Sequence, residues 1–136
     1  VLMAQCFRLG WRRCSPLNWA LYVAHEIKQL EGLKVIITCY VRYVIDPKKV
    51  KEFEEYARMW IPLVEKFGGQ HNGYFLPSEG ANNIALALFT FESLSAYEEY
   101  RLKSLNDPEC IEAFEFANKV DCIVSYERSF FRPVLG

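Results

Sequence analysis

Only two histidines, His25 and His71, occur in the 136 residues, so imidazole catalysis and histidine-ligated metal have little material to work with. Cysteine is equally short of pattern. Cys6, Cys14, Cys39, Cys110 and Cys122 form no Cys-x-x-Cys pair, and an odd number of thiols does not close a disulfide framework. A reducing, cytoplasmic setting is the simpler expectation. No apolar run reaches the roughly 18 residues needed to span a bilayer, because Lys28 and Lys34 bracket the one stretch that approaches it, near Leu17 to Ile27. Charge of one sign is lacking too: 16 Lys+Arg against 17 Asp+Glu leave a net charge of −1, too little positive field to hold a phosphate backbone. Lys48, Lys49 and Lys51 make a short solvated face, and no glycine-rich phosphate loop follows a strand. Nucleic acid and membrane are therefore not expected partners, and no motif calls for a metal or an organic cofactor.

What is present is apolar and aromatic. A hydrophobic fraction of 51% and an aromatic fraction of 15% suit one domain with a real core and argue against long disorder. Charge divides that chain unevenly. Residues 1–34 hold five Lys and Arg against two Glu, a balance of +3, and leave −4 for residues 35–136. Three readings of residues 1–34 stay open: a basic, acid-poor presequence; a docking helix from Asn18 to Leu30 with Asn18 as its cap; or a non-native extension, with Leu30-Glu31-Gly32 encodable by a ribosome-site-like stretch and Val35 as the start.

From Val35 the pattern is regular. Val35 to Ile45 alternates Ile37, Cys39, Val41, Tyr43 and Ile45 against Thr38, Tyr40, Arg42 and Val44, which predicts a strand. Asp46-Pro47 predicts the cap and first residue of a helix. Val50, Phe53, Ala57, Trp60, Ile61 and Val64 give that helix its apolar stripe, Pro62 predicts a kink that re-aims Trp60, and Gly68-Gly69 ends it. Gln70 to Leu76 reads as a second strand, Pro77 to Asn83 as a loop, and Ile84 to Phe91 as a third strand covered on both faces. Ser93 or Ser95 caps the next helix, where Leu94, Tyr97 and Arg101 share a stripe. Asp107-Pro108 restarts a broken helix, with Ile111, Phe114 and Ala117 inward. Asp121 to Phe131 closes the set as a fourth strand. The order βαββαβ predicts an α+β, ferredoxin-like fold with helices on one face of an antiparallel sheet. Its other face, expected to carry Tyr40, Val44, Tyr126 and Phe130, is too apolar to be left bare, so a homodimer is expected.

Three stretches carry a resemblance: Tyr56-Ala57-Arg58-Met59-Trp60-Ile61-Pro62-Leu63, the run from Phe67-Gly68-Gly69-Gln70-His71 to Asn82, and Tyr126-Glu127-Arg128-Ser129-Phe130-Phe131-Arg132-Pro133. Together they resemble bacterial NIPSNAP-family proteins over about residues 35 to 134. The resemblance implies a dimeric α+β barrel, within a superfamily that includes cofactor-independent monooxygenases, haem-degrading enzymes and isomerases. Haem-degrading members place a proximal histidine on the second helical region, and Leu94 to Lys119 contains none.

The candidate residues are few. His71 is the only histidine after residue 34 and, with Gly69 and Gly73 allowing close approach and Tyr74 offering a hydroxyl, is the candidate acid–base residue; the plainer reading makes it a strand cap or an interface residue. Arg42 and Arg128, beside Tyr40 and Tyr126, are expected either to converge as a clamp for a carboxylate or enolate or to pair with Glu127 or a partner's acid. Tyr97 and Arg101, spaced i, i+4, can stack or simply pack. Trp60 completes the binding set. Cys39 and Cys122 read as inert buried thiols. Two functions follow: a small-molecule binder or cofactor-independent monooxygenase or isomerase, with a pocket between helices and sheet, or a non-enzymatic dimeric interaction module with a filled core.

Overall fold

The computed structural model of the protein describes residues 35–134, and the three readings of residues 1–34 lie outside them. Strand β1 (Ile37–Ile45) forms where β-branched and aromatic residues alternate, and Cys39, Val41, Tyr43 and Ile45 are buried on one side. Asp46 does not cap a helix directly. Its Oδ1 accepts from Lys48 N at 2.9 Å and its carbonyl from Lys49 N at 2.9 Å, closing a turn, so helix α1 (Val50–Lys66) begins three residues later than Pro47 suggests. The helix runs continuously through Pro62. Phe53, Tyr56, Ala57, Trp60, Leu63 and Val64 make its buried face, whereas Ile61 is 38% exposed: Leu63, not Ile61, lies on the inward 3.6-residue stripe.

Gly68, at φ +84, turns the chain out of α1. A side chain on Gly69 would come within 2.7 Å of Val64 and Phe91, so its bareness lets the helix end sit against the sheet. Strand β2 (Gln70–Phe75) and strand β3 (Ile84–Phe91) follow. Ala85, Ala87, Phe89 and Phe91 are buried, and the alternate residues only partly so; among the described residues of one chain, β3 is thus fully covered on one face. Helix α2 (Leu94–Ser104) is capped by Ser93, whose hydroxyl accepts from Ala96 N at 3.1 Å, and it buries Tyr97, Tyr100 and Ser104 while Leu94 stays exposed. Asp107 caps helix α3 (Pro108–Val120) by accepting from Glu109 N and Cys110 N, as the Asp-Pro pair predicts. Cys110 and Ala113 are its buried residues, and Ile111 faces out. Asp121, in the left-handed region at φ 51, ends α3, so strand β4 spans Ile123–Phe131.

The four antiparallel strands lie in the order β2-β3-β1-β4, the ferredoxin-like arrangement. Register settles which side chains share a face. Tyr43 pairs with Tyr126, Val41 with Arg128 and Cys39 with Phe130, whereas Arg42 pairs with Glu127, Tyr40 with Ser129 and Thr38 with Phe131. Tyr126, Arg128 and Phe130 therefore stand on the helix side, and the expectation that Tyr126 and Phe130 join Tyr40 and Val44 on the open face is corrected. Phe131 takes that place, its ring 5.9 Å from Tyr40. Equal parity in sequence numbers says nothing across two strands until register is known.

Candidate functional site

Tyrosine recurs in the interior where phenylalanine would fill the same space. Tyr43 on β1, Tyr56 on α1, Tyr74 on β2, and Tyr97 and Tyr100 on α2 pack into one core. Phe53, fully buried, lies 5.1 Å from the ring of Tyr43, 5.8 Å from Tyr56 and 6.0 Å from Tyr74. The hydroxyls of Tyr56 and Tyr74 interact with that of Tyr43. Burial makes all five phenols weaker acids, raising their pKa above the ordinary tyrosine value, so at neutral pH they keep their protons and act as neutral hydrogen-bonding groups.

Arg128 enters this cluster from β4. Its guanidinium carbon sits 5.0 Å over the ring of Tyr126. Burial works against its charge, while Tyr97, Tyr126, Tyr43 and Cys39 favour it, with a net upward shift. Those groups offer negative charge only when ionised, and burial lifts the Cys39 thiol to about 11 and the interior phenols likewise. Near neutral pH Arg128 is thus a cation among uncharged rings. Among the described residues, the ion pairs join Arg42 with Glu127, Arg58 with Glu54, Lys66 with Asp107 and Glu109, and Lys103 with Glu99; Arg128 is in none of them. Its Nε, Nε1 of Trp60 and Nε2 of His71 are buried without a hydrogen-bond partner among the described residues, a costly state for a polar group.

A cleft of about 400 Å³ opens between β4 and α3. Tyr43 and Tyr56 lie at its depth, Phe114 and Ala117 form the α3 wall, Tyr126 and Arg128 the strand wall, and Asn118, Asp121 and Ser125 bring polar groups to its other end. Behind it lies a void of about 20 Å³ bordered by Trp60, Tyr74, Tyr100 and Arg101, and by Tyr43, Tyr56, Phe114 and Arg128, which the two spaces share. That void is large enough for about one water molecule. A wider hollow of about 570 Å³ beside Asp46 and Asn83 is more open and borders none of the three unpartnered nitrogens.

The residues singled out from sequence separate accordingly. Trp60, Tyr74, Arg101 and Arg128 border the inner void. Tyr97 packs beside them, 5.5 Å from Phe91 and 4.8 Å from Phe130, and interacts with Cys39; the close cation–ring contact of a tyrosine is made by Arg128 with Tyr126 and not by Arg101 with Tyr97. Tyr40 and Arg42 stand on the open face, so Arg42 and Arg128 cannot converge within one chain. Arg42 instead lies 3.8 Å from Glu127, the plainer of its two expected roles. His71 is on the edge strand β2, its ring stacked 4.9 Å from Tyr74, with Nδ1 accepting from Gly73 N at 2.9 Å. That bond puts the proton of the neutral imidazole on Nε2, and burial lowers its basicity. It is not among the residues lining the cleft. Tyr43, Tyr56, Tyr100 and Phe114 escaped the sequence reading as site residues. The available signal was tyrosine at core positions of amphipathic elements, where a buried hydroxyl needs a partner.

Among the described residues, no three His, Cys, Asp or Glu gather as a metal would require, and no helix is long and apolar enough to cross a membrane.

Fold and site together define a ferredoxin-like α+β domain with a tyrosine-lined interior whose inner void is bordered by two arginines, Arg101 and Arg128. The NIPSNAP family profile matches residues 40–135, and the chain belongs to the NIPSNAP family. No curated protein matches it. Among solved structures it is similar to an uncharacterised NIPSNAP-like domain protein from Burkholderia xenovorans, at 23% identity and TM-score 0.63 over 74% of this chain and 87% of that one. A NIPSNAP family protein with unknown function from Agrobacterium tumefaciens gives 19% identity and TM-score 0.65 over 74% and 90%. A candidate antibiotic biosynthesis monooxygenase from Bacteroides thetaiotaomicron gives 16% identity and TM-score 0.54 over 74% and 90%.

Proposed function

We propose that this NIPSNAP-family domain binds a small organic molecule in the cleft between β4 and α3, and does so as a cytoplasmic homodimer. One observation carries the binding role: a cleft of about 400 Å³, within the usual size of ligand sites, reaches inward to a cation that no described carboxylate neutralises. A filled core would leave neither. Turnover, where it occurs, fits cofactor-independent oxygenation or isomerisation of an aromatic or enolisable compound, a reading that the fold likeness to the monooxygenase candidate supports by analogy only. The dimer is supported by the open sheet face, where Tyr40 and Phe131, the latter 55% exposed, lie with no helix over them among the described residues. That same face favours the second reading, an interaction module whose functional unit is the dimer. Buried free thiols at Cys39, Cys110 and Cys122 suit a reducing compartment.

Ligand-observed NMR of the full chain against anionic, neutral and cationic aromatic fragments tests the binding role. Fragments are expected to bind, and Ala117→Trp, which fills the cleft from α3, is expected to abolish binding. Binding of no class, or binding indifferent to that substitution, overturns the role and leaves the interaction module. Sedimentation is expected to give twice the 15.9 kDa chain mass; a monomer overturns the dimer.

A further inference from the structure

The cleft is electrically polar along its length, and that polarity selects a ligand class. Arg128 stands at the end that continues into the inner void, while Asp121 and Asn118 lie at the other end, where α3 runs into β4. Five residues of strand separate Ile123 from Arg128, roughly 17 Å of extended chain. Between these ends the lining is aromatic and aliphatic: Tyr43, Tyr126, Phe114 and Ala117. At the Arg128 end two donors go unused among the described residues, Nε of Arg128 itself and Nε1 of Trp60, whose side chain is 4% exposed and borders the same void. The surrounding phenols are held neutral by burial and provide no counter-charge.

Resting on the binding role proposed above, we infer that the cleft takes a planar aromatic monoanion, a carboxylate or a compound with an enolate or phenolate oxygen, with its charge at the Arg128 end and its ring between Tyr126 and Phe114. Each part of the site then has a task. Arg128 supplies the charge-assisted hydrogen bond that a buried cation otherwise lacks. Trp60 gives a second, uncharged donor, directly or through one water in the inner void. The aromatic walls take the ring, and Asp121 disfavours a second negative charge at the far end.

Calorimetric titration of the full chain with 2-naphthoate, its neutral isostere 2-naphthamide and the dianion naphthalene-2,6-dicarboxylate tests this. The acid is expected to bind about tenfold or more tightly than the amide, the gain of one hydrogen bond to a charged group, and the dianion more weakly than the monoanion. Arg128→Leu is expected to remove most of the preference for the acid, by weakening acid binding more than amide binding. Arg128→Lys keeps the charge without the planar fork and is expected to retain part of the preference. An amide that binds as well as the acid overturns the inference while leaving the binding role intact; so does a preference for the acid that survives in a folded Arg128→Leu. Should acid, amide and the wider fragment set all fail to bind, both fall. The comparison of acid with amide in the unmodified chain decides the matter even where the leucine variant does not fold.

Discussion

Arg42 and Arg128 stand on opposite faces of one sheet, Arg42 paired with Glu127 and Arg128 with Val41 across the β1–β4 ladder. One cation faces outward and has a carboxylate 3.8 Å away; the other faces a tyrosine-lined interior and has none among the described residues. The outward arginine is a surface pair of small energetic weight. The inward one is half-buried, with its Nε withdrawn from water and without a partner among the described residues, which is costly in a folded chain.

That asymmetry gives a stability prediction. Arg128→Leu, which keeps apolar bulk on the helix side of β4, is expected to leave the fold intact and raise the unfolding free energy by about 1 kcal/mol, because it removes a half-buried cation whose Nε is buried without a partner among the described residues. Urea unfolding at neutral pH measures it. A loss of stability of similar size would show that Arg128 is held by its contacts with Tyr126 and the phenols and is a structural residue.

The difference between the two arginines was not legible in the sequence, whereas much of the surrounding fold was. Alternation from Ile37 to Ile45 and the Asp107-Pro108 helix start are local signals, each read within a few residues of itself. Assigning Arg128 to a face needs the register of β4 on β1, which is a long-range property. For the same reason Tyr126 and Phe130 were placed on the wrong side. Helix stripes are legible to within two positions: Leu63 rather than Ile61 on α1, and Cys110 and Ala113 rather than Ile111 on α3. Trp60, Tyr74, Arg101 and Arg128 stand out as candidates in the sequence, but the phenols of Tyr43, Tyr56 and Tyr100 do not, since a tyrosine at a core position looks like phenylalanine until its hydroxyl has a place to point.

His71 predicts an acid-labile step. Burial lowers its native basicity below the ordinary value of about 6.5, so as pH falls the unfolded chain takes up the proton first. Stability contributed by the neutral, buried imidazole is complete above about pH 6.5 and is lost as pH falls through that value toward the depressed native one. His71→Asn retains an acceptor for Gly73 N and removes the titration. Its unfolding free energy is expected to be lower than that of the unmodified chain near pH 7, where the stacking on Tyr74 is lost, but flatter with pH between about 7 and 5. His25 is common to both proteins and cancels in the comparison. Parallel slopes would mean that His71 titrates alike folded and unfolded.

Gly73 supports that histidine through its backbone. It sits at φ +116, in the bulge where β2 slips against β3, and its N–H donates to His71 Nδ1. A side chain there would meet only Phe75, at an ordinary 3.6 Å, so the obstacle is conformation and not space. Gly73→Ala is expected to cost about 1–3 kcal/mol, measured by thermal or urea unfolding. A neutral outcome would show that the bulge relaxes to an ordinary strand at no cost.

Trp60 separates packing from donation. Its indole meets the ring of Phe114 at 5.0 Å and that of Tyr56 at 6.3 Å, while its Nε1 has no partner among the described residues. Trp60→Phe makes two opposed changes: it leaves a small void, which destabilises, and it removes a buried unsatisfied donor, which stabilises. The two are of similar size, so the net change in stability is expected to stay within about 1 kcal/mol. Affinity for 2-naphthoate has no such compensation. Loss of an uncharged donor is expected to weaken it about threefold to tenfold, with 2-naphthamide affected less, because an amide carbonyl gains less than a carboxylate from the same N–H. A variant that unfolds easily and binds the acid unchanged would make Trp60 a packing residue alone, and would leave recognition at that end of the cleft to the arginines.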